Sequence, residues 1–185
     1  MIKIILISGK QGSGKTTLSN NLSGLLIESG YQPVSIKFAA VLYELHDLIW
    51  SKMNEYGQTL NVKKDGYLLQ LLGTEWGRNK LGENIWVDIA KFRAAKATEN
   101  SNVVVIIDDC RFPNELTAFP EALKVRLEAD STTRMGRAEM WRDTENHTSE
   151  TGLDDSTGFN VTYQTGPNGM SSLEIAQDIL NRMVK

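Results

Sequence analysis

Eight consecutive residues, Gly9-Lys10-Gln11-Gly12-Ser13-Gly14-Lys15-Thr16, fit the spacing G-x-x-x-x-G-K-[ST], and Thr17 follows. Glycines at these places let successive backbone N–H groups turn inward around a phosphate. Lys15 then reaches the terminal phosphate oxygens, and the Thr16 hydroxyl is a ligand for Mg²⁺. A helix beginning at the end of the loop would aim its positive end at the same anion. This chemistry implies a nucleoside triphosphate, with ATP as co-substrate and Mg²⁺ as cofactor. It also requires a carboxylate at the end of a neighbouring strand. Asp108 and Asp109, at the end of the apolar run Val103–Ile107, supply two. Successive strand side chains face opposite ways, so one of the pair is expected to face the phosphates, and apolar counting alone favours Asp108.

Phosphoryl transfer also needs positive charge on the moving group, for which arginine's planar fork is suited. Arg134, Arg137 and Arg142 lie in a polar stretch of weak periodicity, and residues 130–150 are expected to form a mobile lid that excludes water. A third string, Tyr67-Leu-Leu-Gln-Leu-Leu-Gly-Thr-Glu-Trp-Gly-Arg78, offers the makings of an acceptor pocket. Trp76 would wall it, Gln70 would meet a base edge, and Arg78 would meet a monophosphate. Trp86 and Trp141 read as packing residues and His46 as structural. His147, inside the lid stretch, reads equally well as structural or functional.

These groups need a scaffold, and the pattern around them describes one. Residues 2–7 form a short, almost wholly apolar run, as in a central parallel strand covered on both faces. Thr16–Glu28 has leucines at helical spacing, with Gly30 placed as a cap. Val34–Phe38, Val103–Ile107, Val125–Ala129 and Phe159–Tyr163 read as further strands. Val41–Met53, Tyr67–Leu72, Trp86–Ala97 and Ser172–Met183 read as helices. Residues 54–66 read as loop, and a Gly/Asn-rich stretch separates the two middle helices. Strands alternating with helices predict an α/β, three-layer P-loop fold: a parallel sheet with helices on both faces and an arginine-bearing lid. One domain is expected over 1–185, with an acceptor-binding region at about 39–100 and the lid at about 130–150.

Composition narrows the possibilities further. A chain of 185 residues with 41% hydrophobic positions suits one globular domain. The net charge of −3 argues against passive wrapping of nucleic acid, without excluding a local basic cleft. No apolar run approaches the length of a membrane span, and the N-terminus lacks the features of a signal peptide. The single cysteine, Cys110, excludes an internal disulfide and fits a reducing cytoplasm.

Several strings together resemble the bacteriophage deoxynucleoside monophosphate kinases, a family of P-loop nucleoside monophosphate kinases. They are Gly9–Thr17, Lys37-Phe-Ala39, Leu68–Arg78, Trp86, Asp109-Cys-Arg-Phe-Pro-Asn-Glu115 and His147-Thr-Ser-Glu150. The resemblance implies transfer of the ATP γ-phosphoryl group to a deoxynucleoside 5′-monophosphate, giving the diphosphate. It implies Asp109, not Asp108, as the acid beside the metal. It places Lys37, Phe38, Arg111 and Glu115 on the acceptor side with Gln70, Trp76 and Arg78. Arg134 would lie against adenine and Arg137 would contact phosphates, as at the start of the adenylate-kinase lid. Partners would be small nucleotides, the site of action the host cytoplasm, and the assembly a monomer or homodimer. Two other readings fit the motif: a P-loop kinase acting on 5-hydroxymethyluracil in phage DNA, and a nucleotide-gated binding protein without an acceptor.

Overall fold

In a computed structural model of the chain, residues 2–57, 64–137 and 148–184 are described. The uninterrupted apolar runs become the central strands, where both faces of the sheet are covered. The strands are β1 (Ile4–Ser8), β2 (Gln32–Ile36), β3 (Val103–Cys110), β4 (Leu123–Glu128) and β5 (Val161–Gln164). They form one parallel sheet in the order β2-β3-β1-β4-β5. The glycine loop runs between β1 and α1 (Lys15–Glu28). α2 (Ala40–Glu55), α3 (Gly66–Gln70), a π-helix (Leu71–Leu81) and α4 (Ile85–Thr98) then separate β2 from β3. α5 (Pro113–Thr117), α6 (Ser131–Arg137), α7 (Thr148–Thr151) and α8 (Ser172–Val184) complete the chain.

Strand alternation sorts the core into two layers. On one face Ile5, Ile7, Val104 and Ile106 pack with Leu18, Leu22 and Leu26 of α1 and Ile175, Ile179 and Met183 of α8. On the other, Leu6, Val103, Val105 and Ile107 meet Val87, Ala90 and Ala94 of α4 and Leu116 of α5. The expected three-layer α/β architecture is the one observed. Trp86, expected to pack, is buried, and its indole N–H donates to the Gly73 carbonyl at 2.9 Å. His46 is buried too; its Nε2 accepts from Trp50 Nε1 and from Asp65 N, each at 3.0 Å. Among the described residues, no helix is long and apolar enough to cross a membrane.

Two segments depart from the expected pattern. The stretch between Leu72 and Trp86, read as a connection, is largely a π-helix. Its glycines serve close packing and do not mark a turn. A Cβ on Gly77 would lie 2.3 Å from Trp86 Cζ2, and one on Gly73 would lie 3.2 Å from Leu42 Cδ1. Within the polar stretch 130–150, Ser131–Arg137 is helical, with Asp130 accepting from Thr133 N at 2.8 Å and Thr133 Oγ1 at 2.6 Å. Trp141, Arg142 and His147 lie outside the described residues.

Candidate active site

The loop after β1 is shaped by backbone that other residues rarely adopt. Gly12 and Gly14 have φ of 77° and 97°, in the left-handed region that glycine enters without a Cβ penalty. The space is closed as well as strained: a Cβ on Gly12 would lie 2.4 Å from the Arg134 carbonyl oxygen. Lys15 Nζ spans the loop, donating to the carbonyls of Gly9 at 2.6 Å and Lys10 at 2.9 Å. Burial, and then the like charge of Arg111, lower its pKa to about 8. Lys10 itself turns away, its Nζ 2.7 Å from Asp154 Oδ2. Asp154 is held in turn by Arg126 Nη2 at 3.0 Å.

Residues 11–17, Arg137, Leu127 and the segment from Thr165 to Ile175 enclose a cleft of about 860 Å³. Thr16 and Thr17 face it from the first turn of α1. The β5–α8 connection was given no role by the sequence pattern, yet it supplies the far wall. Thr165 Oγ1 donates to the Ser13 carbonyl at 3.1 Å and accepts from Arg137 Nη1 at 3.2 Å. The only signal for this wall was the turn-forming run Gly166-Pro167-Asn168-Gly169, which marks a bend and not a site.

Arg134 and Arg137 are one helical turn apart on α6 and both meet the loop. Arg134 is buried, with Nη1 donating to the Gln11 carbonyl at 3.4 Å. The described start of the expected lid is therefore a short helix seated on the phosphate loop. Its arginines reach the loop's backbone and its flank.

The two acids at the end of β3 have different work. The β1–β3 register slips between Leu6↔Ile107 and Ser8↔Cys110, so β3 carries an extra residue where the acids sit. Bulges of this kind re-aim side chains. Both Asp109 oxygens accept backbone N–H groups, Oδ1 from Phe38 and Oδ2 from Ala39, each at 3.0 Å. Asp109 thus fastens the start of α2 to the sheet, and burial raises its pKa. Asp108 is buried as well. Its Oδ1 lies 3.2 Å from Lys37 Nζ in an ion pair but takes no aligned hydrogen bond. Phe38 is buried against Phe119 at a ring distance of 6.3 Å, a core residue in this structure.

Among the remaining acceptor-side residues, the structure joins Arg78, Arg111 and Glu115. Glu115 is buried at position N3 of α5. Its Oε2 accepts from Arg111 N at 2.7 Å and Phe112 N at 3.1 Å, while Oε1 lies 3.3 Å from Arg78 Nη2. The Arg78 guanidinium lies over the Phe112 ring, 4.0 Å from its centroid. Burial pushes the Glu115 carboxyl up to about 7. Gln70 and Trp76 are exposed on α3 and the π-helix.

One site residue was quoted in a motif but given no role. Glu150, in α7, accepts from Gln11 N at 2.7 Å through Oε2, and its Oε1 pairs with Arg111 Nη1. Its charge was visible in the sequence; neither the helical turn that carries it nor the long-range pairing was.

Parallel strands in this order, a glycine loop leading into α1, and acids ending the strand beside β1 define a P-loop NTPase fold of the kind that kinases use. The chain belongs to the AAA domain family, which it matches over residues 5–154. No curated protein matches it. Among solved structures it is similar to TT1252 from Thermus thermophilus, at 14% identity and a TM-score of 0.61 over 100% of this chain and 98% of that one. It is also similar to a sugar kinase from Janibacter sp., at 14% identity and a TM-score of 0.54 over 98% and 95% of the two chains. The shikimate kinase of Acinetobacter baumannii, solved with shikimate, aligns at 13% identity and a TM-score of 0.53 over 100% and 94%. These likenesses establish the fold.

Proposed function

We propose that the chain transfers the γ-phosphoryl group of ATP to a deoxynucleoside 5′-monophosphate, releasing ADP and the diphosphate. The observation that carries this reading is the pair Arg78 and Arg111. Glu115 holds Arg78 and Glu150 holds Arg111, and Arg111 lies close enough to Lys15 to perturb its pKa. A dianionic acceptor in a partly enclosed site needs more than one cation, and arginine's fork matches its oxygens. The donor would lie in the 860 Å³ cleft, phosphates on the loop and base toward the β5–α8 wall.

In the step itself an oxygen of the acceptor phosphate forms a bond to the γ-phosphorus. The bond from that phosphorus to the β–γ bridging oxygen breaks, and its electron pair leaves on ADP. The acceptor oxygen is already anionic, so no general base is required. Lys15 carries the charge gathering on the donor oxygens, Arg111 bridges toward the acceptor, and α6 keeps water from the phosphates.

Among the described residues no cluster of three or more His, Cys, Asp or Glu could hold a metal alone. That suits Mg²⁺, which keeps its waters and binds through one or two protein oxygens plus phosphates. Thr16 and Asp108, whose buried Oδ1 lacks an aligned donor, are the residues that would hold it. The sequence resemblance favours Asp109 for this place, but both of its oxygens are engaged by α2. When bound, Mg²⁺ would neutralise charge on the β- and γ-phosphates.

The test is ADP release with ATP and Mg²⁺ against each deoxynucleoside monophosphate, and separately against DNA containing 5-hydroxymethyluracil. Turnover with at least one free monophosphate is expected. Turnover on the DNA alone would transfer the assignment to the DNA kinase, and ATP binding with neither acceptor consumed would make the protein a nucleotide-gated binder.

A further inference from the structure

We propose that Glu150 is a positioning residue of the transfer site, setting Arg111 against the phosphate loop through a carboxylate shared between them. The role given to Arg111 rests on the function proposed above. The link from Glu150 to the loop stands on its own geometry.

Glu150 is buried, with 6% of its side chain exposed, and both of its oxygens are engaged. Oε2 takes the N–H of Gln11, inside the glycine loop, and Oε1 takes Arg111 Nη1. That same Nη1 donates to the Ser149 carbonyl at 3.0 Å, so one turn of chain grips the guanidinium at two points. At its other end, Arg111 is held by its backbone N–H on Glu115. A flexible arginine is thus fixed at both ends, and little rotamer entropy is left to lose when it meets an anion.

The charges show why a carboxylate is needed in a site built for anions. Lys15 and Arg111 are like charges close enough for Arg111 to depress the lysine's ionisation, while Glu150 supports it. Two like charges held this close at a half-buried site without a counter-charge would move apart or favour loss of the lysine's proton. Glu150 holds the pair together and spans parts of the chain that separate donor from acceptor. Gln11 and Glu150 are 139 residues apart in sequence.

The experiment is a double-mutant cycle in the full chain with Glu150→Gln and Arg111→Ala, read as kcat and as KM for each substrate. Glu150→Gln is expected to lower kcat at least tenfold, with KM for ATP within threefold of wild type. In the Arg111→Ala background the same change should cost less than twofold. Guanidinium ion added to Arg111→Ala should restore part of the rate, and should restore none in the double variant, because the carboxylate that seats it is gone.

Equal losses in both backgrounds would overturn the proposal, as would rescue that ignores Glu150 or a wild-type rate in Glu150→Gln. Should Glu150→Gln fold poorly, Arg111→Lys serves instead. It keeps the charge, but its stem ends one bond short of the Nη1 position that meets the Ser149 carbonyl and Glu150, so a wild-type kcat there would equally overturn it. Running the cycle also on ATP hydrolysis without acceptor separates the two claims. Coupling that persists in hydrolysis while no monophosphate is consumed would sink the acceptor assignment and leave Glu150's role standing.

Discussion

The phosphate loop and the arginine cluster beside it are built by opposite means. The loop is one contiguous segment whose geometry comes from backbone: glycines in the left-handed region and Lys15 bonded to the carbonyls of Gly9 and Lys10. The cluster is assembled from side chains of the π-helix, α5, α7 and Arg111, the residue that follows β3. It is tied by ion pairs such as Arg78–Glu115 and Arg111–Glu150, 37 and 39 residues apart. A local motif survives drift in its surroundings. A cluster of long-range ion pairs depends on several segments at once, and removing one partner leaves the other charge without its counter-ion.

The comparison can be broken at several points. The largest effect is expected at Lys15→Ala or Lys15→Met, with turnover lowered at least ~10²-fold and the fold kept. ADP release together with circular dichroism checks this; a folded variant retaining more than a tenth of the rate would remove the kinase assignment. Next, Arg78→Ala or Arg111→Ala should raise KM for the monophosphate about tenfold or more, each charge-assisted contact contributing ~1.5–3 kcal/mol. KM for ATP should stay within about threefold, and selective loss of ATP affinity would move the arginines to the donor side.

A comparable sharpening concerns pH. With Lys15 at about 8 in the free protein, its charge is lost as pH rises through that value. ATP-analogue affinity should therefore fall about tenfold between roughly pH 7 and 9, since binding must restore the proton. Calorimetry in buffers of different ionisation enthalpy would register that proton uptake, and a flat profile would contradict the burial of Lys15.

The smallest effects should separate the two acids. Asp109→Asn leaves one of the Phe38 and Ala39 N–H groups without its acceptor and should lower stability by ~1–3 kcal/mol. Asp108→Asn should instead raise the Mg²⁺ needed for half-maximal rate by a few-fold, with little change in melting temperature. Reversed results would return the metal to Asp109, as the family resemblance has it.

The division between local and long-range construction also decides what was legible beforehand. The loop, the strands and the order of layers could be read because each is encoded within a few residues. Arg78 was reached through the chemistry an acceptor pocket needs, but Arg111 and Glu115 only through strings resembling a family, since nothing in their spacing announces that Glu115 caps α5 while holding Arg78. The π-helix was missed because Gly73 and Gly77 look like turn formers until Leu42 and Trp86 are seen against them. The β5–α8 wall left only a turn signal for another reason: Thr165 acts through position and one hydroxyl, a residue type that carries no expectation alone.

Cys110 closes the strand that bears both acids and is 1% exposed, its thiol pushed up by burial. With one cysteine in the chain, a thiol reagent has a single target, buried at the end of β3 beside the two acids. Alkylation at neutral pH therefore runs only as fast as that end opens. The protein carries its own clock for local unfolding, and any ligand that clamps β3 to the phosphate loop will slow it.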